Sequence, residues 1–398
     1  MAHESHPLYS CPMGLRWLPL VLLSLAMSSW AASPSLQESF EQIAHQAEAA
    51  RAADRIRDAI DLYKRGVRLH PQWTEGWWSL GTLLYDQDRF PEATLAFQRF
   101  AANAPKPGVA YSFLGLCEYE SHEYDKALGH FRAWARAGWP GTPQSIDVSV
   151  FHFALLLTRD REFVQALYLL ATEAQKIGEN PTLAEAMGLA SLRMRNLPED
   201  YAPEKREMVW LAGEAAISAA QSTPGLERSN EFADRLVSRY PEAPEVHYFR
   251  GTLFAAQKKP ANAEREYRQE LQVSPEHLPA MLALAGIDLD KNDVTEAGTL
   301  ARKAVDLAPK DAEAHQVFGR VLMAKGQDAT SAKELEMAKE LAPDSALVRS
   351  HLAMVYSRLG RTQASKAEAA AFLRLKSKEG VLAPPQEKLQ PETGEKTR

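Results

Sequence analysis

Residues 74–107 read TEGWWSLGTLLYDQDRFPEATLAFQRFAANAPKP, a segment of 34 residues that sets the pattern for most of the chain. Leu80 and Gly81 stand in its first half, and Ala93 and Phe97 stand four residues apart in its second half. Residues spaced by four share one face of a helix. The segment therefore predicts two helices that cross closely, because each presents a small residue beside a large one.

The spacing of this segment recurs along the chain. Ala59, Ala93 and Ala127 are 34 residues apart, and aromatic residues follow each of them after four positions. Prolines repeat the same interval, and they are Pro71 and Pro105 near the N-terminus and Pro241, Pro275, Pro309 and Pro343 in the second half. Proline is disfavoured inside a helix, so each of these residues marks the end of a unit. A period of this length predicts stacked helical hairpins.

Composition agrees with a helical repeat protein. The chain has 398 residues, of which 45% are hydrophobic and 25% are charged, and it lacks the alternating β-branched runs of sheet proteins. Each hairpin buries its apolar face only against its neighbours. We therefore expect an all-α fold, a right-handed superhelical solenoid of antiparallel helix pairs.

The repeated residues resemble the motif of the tetratricopeptide repeat (TPR) family. Residues 74–107 match it best, with Trp77, Leu80, Gly81 and Phe97 in the family's positions. The unit departs from the motif at Phe100, where the family prefers a small residue. Clear units begin near Phe40, Thr74, Gly108, Pro244, Leu278, Ala312 and Ala346. The resemblance implies a scaffold whose concave surface binds a protein or peptide partner.

The N-terminus has a different character. The stretch 17–32 reads WLPLVLLSLAMSSWAA, follows Arg16, and ends in small residues, with Ser29 and Ala31 placed as in a cleavage site. Residues 1–32 are therefore predicted to be a signal peptide, and Met13 is an alternative start. An uncleaved inner-membrane anchor is the alternative to cleavage. We expect an exported, periplasmic protein of bacterial type.

The middle of the chain breaks the period. Helical stretches are predicted over 182–195, 204–221 and 227–239, and an odd number of helices favours a bend or a loosened interface. We expect an N-terminal lobe over 33–178, an irregular junction over 179–243, a C-terminal lobe over 244–379 and a disordered tail over 380–398. The loop 196–203, which contains Tyr201, is either a partner-binding loop or a spacer.

The resemblance also assigns candidate groove residues. The TPR concave surface is lined by the second, fifth, ninth and twelfth residues of each first helix. The residues predicted to contact a partner are Trp78, Thr82, Tyr85, Ser112, Leu116, Tyr119, Phe151, Tyr248 and Arg320. Clustered aromatic residues favour an extended peptide or a partner helix. Packing against neighbouring helices is the alternative role for Trp78 and Tyr85.

Charge and motifs argue against other classes of function. The formal net charge of -6 disfavours nucleic acid as a partner. The chain has no phosphate-binding glycine loop and no nucleophile elbow, so we expect neither catalytic residues nor a cofactor. The run Glu118, Glu120, His122, Glu123 and Asp125 falls at a predicted turn and is not expected to hold a metal ion. Cys117 is predicted to be a small packing residue.

The sequence thus favours a non-enzymatic interaction scaffold of the cell envelope. A self-assembling or substrate-recruiting subunit is the alternative, and homo-oligomers are compatible with it. An enzyme with a cryptic site is disfavoured, because the repeats leave no stretch of domain size for a catalytic core. Contact with a membrane is expected only through the N-terminal segment.

Overall fold

The computed structural model describes residues 34–178, 180–221 and 225–376, and it forms nineteen α-helices over these ranges. No β-strand occurs within them. The predicted all-α fold of paired helices is confirmed. The predicted signal peptide 1–32, with the alternative start at Met13, and the predicted tail 380–398 lie outside the described residues.

The helices fall into two compact units that divide inside α7, between Leu157 and Thr158. The predicted lobes over 33–178 and 244–379 and the junction over 179–243 stay predictions. The first unit contains α1 (Pro34–Ala52), α2 (Ile56–Leu69), α3 (Thr74–Tyr85), α4 (Phe90–Asn103), α5 (Gly108–Glu120), α6 (Tyr124–Arg136) and most of α7 (Pro143–Arg159). The second unit contains α8 (Phe163–Ile177), α9 (Pro181–Ser191), α10 (Arg206–Ala220), α11 (Gly225–Arg239), α12 (Val246–Ala256), α13 (Pro260–Val273), α14 (Leu278–Asp290), α15 (Val294–Leu307), α16 (Ala312–Ala324), α17 (Asp328–Leu341), α18 (Ala346–Arg358) and α19 (Thr362–Lys376).

Small residues let the two helices of a hairpin approach closely. A Cβ atom added at Gly81 of α3 would lie 2.7 Å from the Phe97 ring of α4, and Gly115 and Phe131 repeat this relation between α5 and α6. Both phenylalanines are fully buried. Full burial of such a side chain contributes about 1.5–3 kcal/mol. The predicted pairing of small and large residues therefore holds the hairpins together.

Four of the repeated prolines accept a hydrogen bond at their carbonyl group from the next first helix. The indole Nε1 of Trp77 donates to the carbonyl oxygen of Pro71 at 2.8 Å, six residues back. In the second unit the same bond is made to Pro241 by His247, to Pro309 by His315 and to Pro343 by Arg349. Each bond satisfies a carbonyl of the turn that follows the preceding helix and so ties that turn to the next unit.

The three predicted irregular helices are present as α9, α10 and α11. The first two cross with their backbones in close contact, since a Cβ at Gly188 would overlap the carbonyl of Val209 and a Cβ at Gly213 would overlap the carbonyl of Ala184. Only glycine fits at these two positions without movement of the backbone. This crossing explains why α9 is buried along most of its length.

The connector between α9 and α10 is fastened at two points. Leu197 is 1% exposed, so it packs into the second unit. The Tyr201 hydroxyl donates to Oε1 of Glu185 on α9 at 2.5 Å. Burial, and then this bond, raise the pKa of Tyr201 well above its usual value. The hydroxyl of Tyr201 is therefore engaged within the chain.

Candidate functional site

The second unit presents one face built from first helices. Contacts between alternate helices connect α14 with α16 and α16 with α18, which are all first helices of their hairpins. Closer approach of the first helices places them on the inner side of the stack, where a solenoid forms its concave surface. We call this face the inner strip and define it by the second, fifth and ninth residues of the units that begin at 244, 278, 312 and 346.

The 34-residue period arranges the inner strip in rows. Each row takes one residue from each of the four units. The second residues are Glu245, Pro279, Glu313 and Leu347; the fifth residues are Tyr248, Leu282, Gln316 and Ser350; the ninth residues are Thr252, Gly286, Arg320 and Met354. Polar, apolar and charged side chains are therefore interleaved along one surface.

Arg320 is the exceptional cation of this strip. Its side chain is half-buried, yet its guanidinium makes no hydrogen bond or ion pair with any described residue. Cations of comparable burial elsewhere in the described ranges are paired, for example Lys64 and Arg89 with Glu92, Arg250 with Asp234, and Lys339 and Arg349 with Glu368. A partly desolvated charge without a partner is unfavourable. Arg320 therefore has unused capacity to bind an anionic group.

The charge of Arg320 affects a neighbouring histidine. His351 is 8% exposed, and its Nδ1 accepts a hydrogen bond of 3.0 Å from Nε2 of Gln316. Burial, and then the nearby Arg320 charge, lower the pKa of His351 to about 4. His351 is therefore neutral at pH 7, and it leaves the positive charge of this part of the strip to Arg320.

Open and apolar surfaces lie on both sides of Arg320 in the ninth row. A Cβ added at Gly286 on α14 would meet no atom within 4 Å, so the space beside this residue is open. On α18, Met354 is 45% exposed and Leu347 is 57% exposed. The strip thus offers room for a main chain at Gly286 and an apolar contact at α18.

The other end of the inner strip is occupied by internal contacts. The Arg193 guanidinium lies 5.8 Å from the centre of the Tyr248 ring and 3.7 Å from the Glu245 carboxylate. His277 Nε2 donates to the same carboxylate at 2.9 Å, and its ring packs against Tyr248. Tyr248, which the sequence predicted as a partner contact, is therefore built into a charged cluster.

Glu313 lies on the strip between this cluster and Arg320. Its side chain is solvent-exposed and makes no ion pair with the described residues. Even so, burial by surrounding protein, and then the Asp311 charge, raise the pKa of Glu313 above its usual value. A carboxylate on a concave surface is accessible to water and is also surrounded by protein atoms, as Glu313 is.

The predicted groove residues of the first unit mostly contact other residues of that unit. The Trp78 ring centre lies 5.5 Å from that of Phe97, 5.1 Å from Phe100 and 5.2 Å from Phe113. Tyr85 packs edge-on against Phe113 as well. Both aromatic side chains keep some exposed surface, so their role as partner contacts stays a prediction.

The remaining predicted residues of the first unit expose little surface. Ser112, Leu116, Tyr119 and Phe151 are each 9% exposed or less. The Thr82 hydroxyl donates to the Ser79 carbonyl at 3.0 Å. At these predicted positions the first unit therefore exposes less side-chain surface than the aromatic content of its sequence suggested.

Three strip residues that bear on binding were absent from the sequence prediction, and they are Gly286, Leu347 and Met354. All three follow from the period, because Gly286 and Met354 stand 34 residues before and after Arg320 and Leu347 is the second residue of its unit. Gly286 stands one position after the small site, which Gly81 and Gly115 occupy beside aromatic rings in the first unit, and a Cβ at Gly286 would meet no atom within 4 Å.

Side chains that could bind a metal ion or act as a nucleophile are paired with other residues or buried. In the run predicted not to bind metal, Glu118 bonds His130 at 2.6 Å and Glu123 bonds Lys126 at 2.6 Å. Within the described ranges no three His, Cys, Asp or Glu residues come together as a metal site. Cys117 is fully buried, and burial raises the pKa of its thiol to about 12. No helix in the described part is both long and apolar enough to cross a membrane.

Comparison with protein families agrees with the repeat architecture. The tetratricopeptide repeat family model matches residues 45–107, 80–142, 227–277 and 259–312. The chain is a tetratricopeptide repeat protein. TPR proteins bind protein or peptide partners and are generally not enzymes, so the broad class of this chain is that of a protein-interaction scaffold.

Solved structures of other TPR proteins resemble parts of this TPR chain. MamA from Desulfovibrio magneticus RS-1 is 17% identical, with 44% of this chain and 97% of MamA covered at a TM-score of 0.38. Yeast Tom70 is 11% identical, with 87% of both chains covered at a TM-score of 0.36. TTC0263 of Thermus thermophilus is 18% identical, with 43% of this chain and 94% of TTC0263 covered at a TM-score of 0.37. No curated protein matches the sequence.

Proposed function

We propose that this TPR protein is a non-enzymatic scaffold that binds an extended segment of a partner protein along the inner strip. The observation that carries the proposal is the unpaired, half-buried Arg320 between the open space at Gly286 and the exposed Met354. A groove with one unused charge and adjacent apolar surface suits a peptide, whose affinity comes from a few anchor contacts.

The test blocks the groove without disturbing the fold. Gly286→Met places a side chain into empty space on α14, and methionine has a higher helix propensity than glycine. Gly129→Met on α6 is the matched control, since a Cβ there also meets no atom within 4 Å. Partner proteins are captured by affinity with the wild-type chain and with each variant, which compares the surface at Gly286 with the surface at Gly129.

We expect the wild-type chain and Gly129→Met to capture the same partner and Gly286→Met to lose it. Equal capture by all three chains would contradict a site on the inner strip. If no partner is captured and the chain is an oligomer in solution, the proposal fails in favour of a self-assembling subunit. The mass in solution, measured by light scattering, distinguishes these outcomes.

We propose further that the scaffold acts in the cell envelope. The support is the apolar stretch at residues 17–32, which follows Arg16 and ends in small residues. N-terminal sequencing of the protein from its own cells should find a chain that starts near residue 32. A start at Met1 or Met13 in a chain that fractionates with soluble proteins of the cell interior would contradict export.

A further inference from the structure

We propose that the partner segment places a carboxylate on Arg320 and an adjacent apolar side chain on the exposed surface of Leu347 and Met354. This inference rests on the function proposed above and names the chemistry of the ligand. The partner is thus a protein segment in which an Asp or Glu lies next to an apolar residue.

The carboxylate follows from the state of Arg320. The guanidinium is partly removed from water, yet no described carboxylate, carbonyl or hydroxyl group bonds it. A guanidinium has five donors in a planar arrangement that matches a carboxylate, and charge-assisted hydrogen bonds are the strong ones. A ligand carboxylate would therefore pair with the Arg320 guanidinium, which no described residue of the chain pairs.

Local hydrogen bonds hold the surroundings of Arg320 in place. Gln316, one helical turn before Arg320, donates to Nδ1 of the buried His351 on α18. This bond connects the two helices beside the guanidinium, so the site does not need to be assembled when the ligand arrives. A preformed site loses less conformational entropy on binding.

The apolar contact follows from α18. Leu347 and Met354 stand about two helical turns apart on the next first helix, and they are 57% and 45% exposed. Met354 occupies the same row as Arg320, and its helix α18 contacts α16. An apolar ligand side chain that covers them would gain about 25 cal/mol for each Å² removed from water.

Acidic groups nearby limit the ligand to an isolated negative charge. Glu313 precedes Arg320 by two helical turns, about 10 Å along the axis of α16. Its exposed carboxylate makes no ion pair in the described part of the chain. It would repel a second negative charge and attract a base. Together with the net charge of -6, this favours a mixed-charge peptide over a polyanion such as nucleic acid.

The test is selection from a displayed library of random eight-residue peptides on the full chain. The same library is selected on the wild-type chain, Arg320→Met, Arg320→Glu and Gly286→Met. Arg320→Met keeps the length and apolar character of the side chain, while Arg320→Glu reverses its charge. Far-UV circular dichroism and the urea midpoint confirm that each variant is folded before selection.

We expect the wild-type chain to select peptides in which Asp or Glu adjoins an apolar residue. Arg320→Met should weaken binding of these peptides by about tenfold, as expected for loss of a charge-assisted hydrogen bond. Arg320→Glu should select Lys or Arg at the same place in the peptide. This switch in selected charge could not arise from a general loss of stability.

Two results would overturn the inference in different ways. If Gly286→Met abolishes selection but the wild-type peptides show no enrichment of acidic residues, the strip binds a ligand of another chemistry and only the acidic ligand is wrong. If the selected peptides bind Gly286→Met as well as the wild-type chain, binding occurs elsewhere and the proposed function fails together with the inference.

Discussion

At the scale of single residues, Trp78 packs against the core of the first unit and still keeps some exposed surface, so its contact with a partner stays a prediction. Its ring contacts Phe97, Phe100 and Phe113 across three helices of the first unit. The sequence placed Trp78 at the correct helical position, but the position alone does not reveal whether the neighbours are large enough to cover it. Phe100 and Phe113 cover part of the Trp78 ring.

This packing predicts that Trp78→Ala destabilises the protein. Loss of a buried aromatic costs about 3–5 kcal/mol, and the partial exposure of Trp78 lowers the expectation to about 2–3 kcal/mol. Urea unfolding followed by circular dichroism measures the change. Trp210→Ala is the comparison, because Trp210 is 40% exposed and should cost less. A Trp78→Ala chain as stable as the wild type would contradict the contacts described.

A second prediction at this scale concerns His351 and pH. Its pKa is about 4 in the folded chain, against about 6.5 for an unfolded histidine, because of burial and then the Arg320 charge. The unfolded chain therefore binds the proton first, and stability falls as pH decreases from about 6.5 to about 4.

The comparison that isolates this effect uses His351→Gln. The free energy of unfolding of the wild-type chain should decrease more between about pH 7 and about pH 4.5 than that of His351→Gln, since the carboxylates common to both titrate alike. Arg320→Met should raise the pKa of His351, as measured by NMR. Identical pH dependence of wild type and His351→Gln would contradict the predicted titration.

At the scale of helices, some glycines allow two helices to pack closely, and others face open space. Gly213 lies against the backbone of α9, while Gly129 on α6 faces open space. We expect Gly213→Ala to destabilise the chain by about 2–3 kcal/mol, because backbones must separate. Gly129→Ala should stabilise it by about 0.5–1 kcal/mol through helix propensity. Thermal unfolding of both variants checks the prediction, and a neutral Gly213→Ala would exclude the close crossing.

The helices were also what the sequence predicted best. The 34-residue spacing of the prolines and of Gly81 and Gly115 predicted the hairpins, and the irregular helices α9 to α11 were found close to their predicted limits. The period could not predict the contacts of each inner residue. Arg320 has a place in the ninth row, but its lack of an ion pair with any described residue depends on which side chains the neighbouring helices bring to it.

At the scale of the whole molecule, the chain consists of two compact units that divide inside α7. Most tryptophans of the described residues are in the first unit, and Trp210 is in the second. If the units unfold as separate cooperative blocks, urea curves from tryptophan fluorescence and from circular dichroism should not coincide. Coincident curves would indicate one cooperative unit instead.

We propose that the inner strip of the second unit binds a partner segment. The most direct test places the photo-crosslinking residue benzoylphenylalanine at position 286 in the full chain, or at position 129 as the control, and irradiates each in extracts of its own cells. We expect one discrete adduct from position 286, absent from position 129 and reduced when Arg320→Glu is combined with it. Adducts of equal yield from both positions, or none from position 286, would contradict the claim.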